Sequence, residues 1–289
     1  MIKITNDCLE VTIAEAGAEL QSIYNKQTNL EYMWSGDPAF WGKKSPVLFP
    51  VIGGMKNNSF QYKGNTYTLP RHGFAREQVF EVAHQTADSV TFSLATTAET
   101  LQVYPFQFKF SITYSLRENT LDTTYLVENN DEETLYFSVG AHPAFKVPLV
   151  DEEAYSDSFI EFSETENAPI YRLLDTIVVD INPTPFFENT NRLPLTKELF
   201  YGDALVFKEL KSTAMSIRSK HNNHGLTVSY EGFPFMGIWS AKDADFVCIE
   251  PWCGIADRAD TTGILQEKEG INKLAANANF SRTWSATMF

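Results

Sequence analysis

Three segments place proton-transferring or oxygen-binding side chains at the ends of apolar runs. They are Leu69-Pro70-Arg71-His72-Gly73-Phe74-Ala75-Arg76, Val139-Gly140-Ala141-His142-Pro143-Ala144-Phe145 and Phe246-Val247-Cys248-Ile249-Glu250-Pro251-Trp252-Cys253-Gly254. Glu250 follows three residues that leave neither face of a strand polar, so its carboxylate is predicted to be buried, and by alternation it shares a face with Phe246 and Cys248. Desolvation raises a carboxyl pKa unless a partner offsets it, and a raised carboxylate is poised as a general base. The same residue would equally serve as a cap for backbone N–H groups or as a partner for an arginine. His142 precedes a proline, which lacks an N–H and stiffens the residue before it. That suits a histidine held to donate a proton near neutral pH, and also a satisfied buried histidine. His72, between Arg71 and Arg76, forms a cationic turn able to hold oxygen ligands, or a plain surface loop.

The elements that must carry these residues are strands. Phe106, Phe108, Phe110, Ile112, Tyr114 and Leu116 alternate with polar residues, and after Arg117–Thr120 the run Leu121, Thr123, Tyr125, Val127 repeats the pattern. Alternation on both sides of a short polar segment predicts a hairpin. Further runs start at Leu9, Tyr62, Val90, Leu135, Leu226, Gly237 and Phe246, whereas helical periodicity is confined to Thr196–Tyr201, with Thr196 as N-cap. Many short strands with frequent turns predict a mostly β protein, a large antiparallel sandwich. The acidic stretches Glu128–Glu133 and Asp151–Glu166 read as solvated loops, and Asn182–Pro194 as a long loop. No linker or repeat divides the chain, so 1–289 is expected to be one domain, long enough to bury roughly three quarters of its unfolded surface.

Composition narrows the function. The net charge is −14, against the clustered Lys and Arg that nucleic acid requires, and equally against an anionic membrane surface. One anionic ligand is still admissible, because exposed charges beyond roughly 8 Å are screened at physiological salt. Three cysteines form no disulfide framework, no signal-peptide core opens the chain, and no stretch of about 20 apolar residues occurs; the expectation is a cytoplasmic protein with reduced thiols. Cys248 and Cys253 lack a second pair to complete a zinc site, His221-Asn222-Asn223-His224 lacks further ligands at suitable spacing, and Val51–Met55 lacks the Lys-Ser/Thr ending of a phosphate loop. No metal and no cofactor is expected.

In this order, His-Gly-Phe, Ala-His-Pro-Ala-Phe and Cys-Ile-Glu-Pro-Trp-Cys-Gly resemble the aldose 1-epimerase (galactose mutarotase) superfamily, and within it a LacX-like branch. The resemblance spans nearly the whole chain, through Gly17-Ala18-Glu19-Leu20, Pro46-Val47-Leu48-Phe49-Pro50, Ile238-Trp239-Ser240 and Glu267-Lys268-Glu269-Gly270. It implies a sandwich with a sugar cleft on one sheet, a Glu that deprotonates the anomeric hydroxyl and a His that protonates the ring oxygen. Carried over by motif, Glu250 matches the base, His142 the acid, His72 the second, sugar-binding histidine, and Asp203 a carboxylate that holds sugar hydroxyls. Galactose mutarotases carry an Arg-rich segment before the first His; here the stretch is Gly53-Gly54-Met55-Lys56-Asn57, so Lys56, Arg71 or Arg76 would substitute for its arginine. Trp239 and Trp252 are candidates to stack on the sugar, or core residues. Three functions follow: an epimerase of a free hexose, an epimerase of a hexose 6-phosphate using Lys43, Lys44, Arg71 and Arg76, or a non-catalytic sugar-binding protein. The sequence leaves monomer or homodimer open.

Overall fold

The computed structural model describes every residue except Thr176. Its largest element is a nine-stranded antiparallel sheet, built in the order Thr190–Pro194, Ser158–Glu166, Ala214–Ser219, Gly225–Ser229, Asn279–Met288, Thr120–Asn129, Phe108–Arg117, Ser89–Ala95 and Glu81–Gln85. The predicted hairpin is at its centre, with Leu121 paired to Leu116 and Tyr125 to Ile112. The alternation that identifies these strands also builds the core: Phe108, Phe110, Ile112 and Tyr114 are essentially fully buried. Burial of apolar surface at roughly 25 cal/mol per Å² is the main force holding such a face down.

A second sheet carries Glu250. Phe246–Cys253 lies at its middle, flanked by Phe235–Trp239 and Leu205–Phe207 on one side and by the short strands Val139–Gly140 and Ala144–Lys146 on the other. Its eight residues are all buried, as the two-sided apolar run predicts. Val247 and Ile249 belong to the main core, which draws on residues from Ile4 to Met288. Phe246 and Cys248 face a separate cluster with Trp34 and Ala144, against which Trp41 and Trp239 pack.

Several expectations are corrected. Thr196–Tyr201 is no α-helix but a 3₁₀ turn, Lys197–Phe200, whose Thr196 side chain makes no capping bond. Among the described residues the α-helix is Ala98–Val103, too short to show periodicity and fixed by a reciprocal Thr97–Thr100 capping box. The acidic stretch Asp151–Glu166 is half strand: Ile160 and Phe162 enter the core, and buried Glu166 accepts backbone N–H bonds from Lys211 and Ser212. Asn182–Pro194 likewise ends in an edge strand, Thr190–Pro194. Among the described residues no helix is long and apolar enough to cross a membrane.

Behind the second sheet, Lys268 Nζ meets Asp257 Oδ1 at 2.7 Å with both side chains 2 % exposed. Asp257 also accepts the Lys56 N–H at 2.9 Å and donates its own N–H to the Gly54 carbonyl, so the pair ties the chain after Phe246–Cys253 to Gly54–Lys56. Removing one member of a buried pair strands the other charge. Lys268→Met is expected to lower unfolding free energy by about 3–5 kcal/mol in urea titration, and adding Asp257→Asn to restore much of it.

Candidate active site

Strand register decides which polar groups meet. Gly140 pairs with Trp252 and Ala144 with Cys248, and continuing that register puts His142 directly opposite Glu250. Pro143 interrupts the ladder between the two short strands, so His142 sits at the gap and turns its ring towards the neighbouring carboxylate. His142 Nε2 lies 3.3 Å from Glu250 Oε2. Among the described residues, His142 Nδ1 and Glu250 Oε1 are buried without a hydrogen-bond partner.

The flanking strands make room for what surrounds them. Gly140 and Gly237 lie against the Trp252 indole, where a Cβ on either would fall 2.7 and 2.5 Å from ring atoms. Lacking side chains, they let Trp252 lie across the sheet as part of a cavity wall. Trp239, paired in register with Cys248, forms another part. Trp41, from the loop after Trp34, stacks on the His142 ring at 5.1 Å and 29°, while Trp239 meets that ring edge-on at 5.6 Å.

His72 is buried, not on a surface loop, and adopts φ +67°. Such a conformation is costly for a non-glycine residue and persists only where the surroundings enforce it. Gly53 does so twice: its carbonyl accepts the His72 N–H at 2.9 Å, and its N–H donates to His72 Nδ1 at 3.1 Å. Because Nδ1 accepts, a neutral His72 carries its proton on Nε2 and is a hydrogen-bond donor there. The next residue, Gly73, has φ +72° and presses on the Phe49 carbonyl, where a Cβ would come within 2.3 Å; Phe49 in turn stacks on Phe110 of the large sheet at 4.5 Å. The turn is thus anchored directly to the core.

Glu250, His142, His72, Arg71, Arg76, Asp203, Trp239 and Trp252 line one cavity of about 270 Å³. That is at the small end of the scale for ligand pockets, ~300–1,000 Å³, and fits one small molecule. Lys56 stands apart, its ammonium bound to the Ala259 carbonyl. Lys44 is bound to the Gln21 carbonyl, and Lys43 meets Arg76 only through Glu77, which lies 3.6 Å from the Lys43 ammonium and 3.7 Å from Arg76 Nε; neither lysine lines the cavity. Trp41, Gly53, Gly54 and an apolar side formed by Ile177, Val179 and Val206 also line the cavity. Sequence reading misses them because loop aromatics and aliphatics look like core; the displaced Arg-rich segment was the one signal at Gly53-Gly54. A wider hollow of about 640 Å³ lies by Trp34 and Tyr155, but its charged groups are already engaged: Lys146 with Asp151, Asp245 with Lys197, Glu153 with Ser219, Glu31 with the Met33 N–H.

Burial sets the electrostatics. It pushes the Glu250 carboxyl well above its usual range; Asp203 adds to the rise and Arg71 opposes it. It pulls His142 down to about 3, with Arg71 and Arg76 adding to the fall, and it pulls His72 well below the ordinary histidine value, helped by His142 and the arginines. Arg71 reaches to 3.9 Å from Asp203, and Arg76 donates to the Arg71 carbonyl at 2.9 Å; among the described residues the buried Nε of each arginine makes no hydrogen bond, though that of Arg76 lies 3.7 Å from Glu77. Among the described residues, His142, Cys248 and Glu250 bring ligand-type atoms within 4.8 Å of one another. The adjacent guanidinium groups oppose a dication there.

The two histidines carry a stability signature. Their folded pKa values lie below the unfolded value of about 6.5, so the unfolded chain binds more protons as pH falls. The stability they contribute is present above about pH 6.5 and is lost as pH falls towards the folded values, by up to about 1.4 kcal/mol per pH unit for each group. Glu250 acts oppositely, losing stability as pH rises above about 4.5 towards its raised folded value. His142→Asn is therefore expected to flatten the acid side of a plot of unfolding free energy against pH; an unchanged slope between pH 6.5 and 4 would count against a buried neutral His142.

With this geometry in place, the comparisons with known proteins agree. Residues 1–263 match the family described as aldose 1-epimerase. Protein LacX of Lactococcus lactis subsp. lactis, chromosomal form, is 34 % identical over 296 residues, covering 99 % of both chains. The crystal structure of a galactose mutarotase related enzyme from Lactobacillus acidophilus superposes with a TM-score of 0.94 at 38 % identity, covering 100 % of this chain and 97 % of that one. A galactose mutarotase-like protein from Lactobacillus casei gives 0.94 at 32 %, with both chains covered completely. The fold is the galactose mutarotase-like sandwich, and the chain belongs to the aldose 1-epimerase family.

Proposed function

We propose that the protein is an aldose 1-epimerase that interconverts the α and β anomers of a free hexose. The observation that carries this reading is the in-register His142–Glu250 pair at 3.3 Å inside a cavity of monosaccharide scale. A hemiacetal opens when one group removes the proton of the anomeric hydroxyl and another protonates the ring oxygen. In this reading the Glu250 carboxylate takes the first proton and the His142 imidazolium supplies the second. The C1–O5 bond breaks, the aldehyde rotates about C1–C2, and closure on the other face returns both protons. His72 Nε2–H and Arg71 donate to sugar oxygens, Asp203 accepts from sugar hydroxyls, and Trp239 offers an apolar wall.

The burial-driven shifts give this mechanism a definite form. Catalysis needs an ionised Glu250 beside a charged His142, whereas burial favours the neutral pair. The reactive protonation state is the minor one, and a sugar whose hydroxyls bond to both groups would stabilise it. A second reading, a hexose 6-phosphate as substrate, is favoured by one observation: among the described residues Arg71 Nε is buried without a hydrogen-bond partner, and Arg76 Nε has only the Glu77 carboxylate, at 3.7 Å. A planar guanidinium fork matches phosphate oxygens.

Polarimetry of freshly dissolved α-D-glucose and α-D-galactose, with NMR of glucose 6-phosphate, tests both. Glu250→Gln and His142→Asn are each expected to lower kcat by about 10²–10⁴-fold with the fold intact. Near wild-type turnover in either variant would remove that residue from proton transfer. For the phosphate reading, Arg76→Met is expected to raise KM for the phosphorylated sugar at least tenfold while leaving any free-hexose turnover nearly unchanged; equal effects on both sugars would count against it.

A further inference from the structure

We propose that Trp41 is a positioning residue for His142: its indole fixes the plane of the imidazole and favours the charged ring. The inference rests on the epimerase reading above. A catalytic histidine is ordinarily oriented through its second nitrogen, hydrogen-bonded to a carbonyl or carboxylate. Among the described residues His142 Nδ1 meets no such partner beyond its own backbone. The ring is held by aromatic contacts instead. Trp41 stacks on it at 5.1 Å and 29°, with Trp239 at 5.6 Å and His72 at 5.8 Å, both edge-on.

Trp41 is itself held from several sides. Phe246, on the Glu250 strand, stacks on the indole at 5.5 Å and 28°, and Trp239 meets it edge-on at 5.3 Å. The Trp34 indole N–H donates to the Trp41 carbonyl at 2.9 Å, and the Trp34 backbone N–H donates to the carbonyl of Ala144, two residues from His142. Two rings already lie against the indole, which argues for support of the histidine over stacking on a sugar.

The indole also acts on charge. A cation over an aromatic face is stabilised where a neutral ring gains less, and tryptophan is the strongest such face. The groups around His142 otherwise divide. An ionised Glu250 3.3 Å from Nε2 would favour the imidazolium, as the histidine's own backbone does, whereas burial, Arg71 and Arg76 oppose it. His72 is neutral, Asp203 faces Arg71, and the Cys248 thiol, raised by burial, brings no charge. Trp41 therefore supplements Glu250 in stabilising the charged histidine.

The test uses Trp41→Leu, which keeps an apolar side chain, and Trp41→Phe, which keeps a weaker face. On the sugar that wild type turns over, Trp41→Leu is expected to lower kcat about 3- to 30-fold with KM within twofold, and Trp41→Phe to recover most of it. A raised KM at unchanged kcat would overturn the proposal and make Trp41 a sugar platform, and unchanged kcat and KM would overturn it outright. Ring-nitrogen NMR of histidine-labelled protein, with His142 assigned by its loss in His142→Asn, gives a readout independent of turnover. The pH at which the His142 ring takes up its second proton is expected to fall in Trp41→Leu and to recover in part in Trp41→Phe. If wild type turns over no sugar, the epimerase reading fails, yet the titration still decides whether Trp41 supports the charged His142; identical titrations in wild type and Trp41→Leu would overturn that.

Discussion

The central constraint is a carboxylate and an imidazole placed as cross-strand neighbours on a strand with no solvent on either side. Side chains directly opposite in an antiparallel pair have Cβ atoms about 4.5–5.5 Å apart, which is what lets Glu250 and His142 touch without distorting the sheet. Proximity follows from register, and register is set by the pairs Gly140–Trp252 and Ala144–Cys248 on either side. The gap at Pro143 frees the histidine from the ladder at the position where it must face a ligand. A slip of one residue would send Glu250 into the core and bring Ile249 to the cavity.

The other site residues are fastened to the same frame by backbone groups. Gly53 holds His72 with one donor and one acceptor, and Phe49 transmits the rigidity of the large sheet to the turn that bears Arg71 and Arg76. Gly54 is closely packed as well: a Cβ there would lie 2.5 Å from the Ile177 carbonyl. A side chain as long as arginine has no room at that position. The cavity receives its positive charge from Arg71 and Arg76, on the turn that bears His72.

Legibility in the sequence followed physical rules. Alternating apolar runs identify the central hairpin because one face of each strand is buried, and the all-apolar run before Glu250 announces a strand buried on both faces. Glu250, His142 and His72 stand out because proton-transferring residues at the ends of such runs are uncommon, and the resemblance of their flanking motifs added Asp203. Trp41 was not legible: its partners His142 and Phe246 lie roughly 100 and 200 residues away, and no local pattern reports a stack. Lys56 looked equivalent to Arg71 and Arg76 by charge alone, yet its backbone bond to Asp257 and its ammonium bond to Ala259 carry it away from the cavity. The acidic stretch before Glu166 was misread for a related reason: composition suggests solvent, but a carboxylate that accepts two backbone N–H groups can be buried.

The overall charge and the local charge point in opposite directions. The chain carries −14, yet its cavity presents two guanidinium groups, two neutral imidazoles and a carboxyl pushed towards neutrality. Surface acid groups are screened over about 8 Å, so the local set governs what binds. With Asp203 as a counter-charge to Arg71, and Glu77 3.7 Å from Arg76 Nε, each guanidinium keeps donors for an oxygen-rich ligand. In the proposed reading a hexose both accepts and donates, with Asp203 and Glu250 as acceptors for its hydroxyls. A phosphorylated hexose would draw more fully on the arginines. The same residues serve both, so the choice between them rests on how much of the guanidinium capacity the substrate leaves unused.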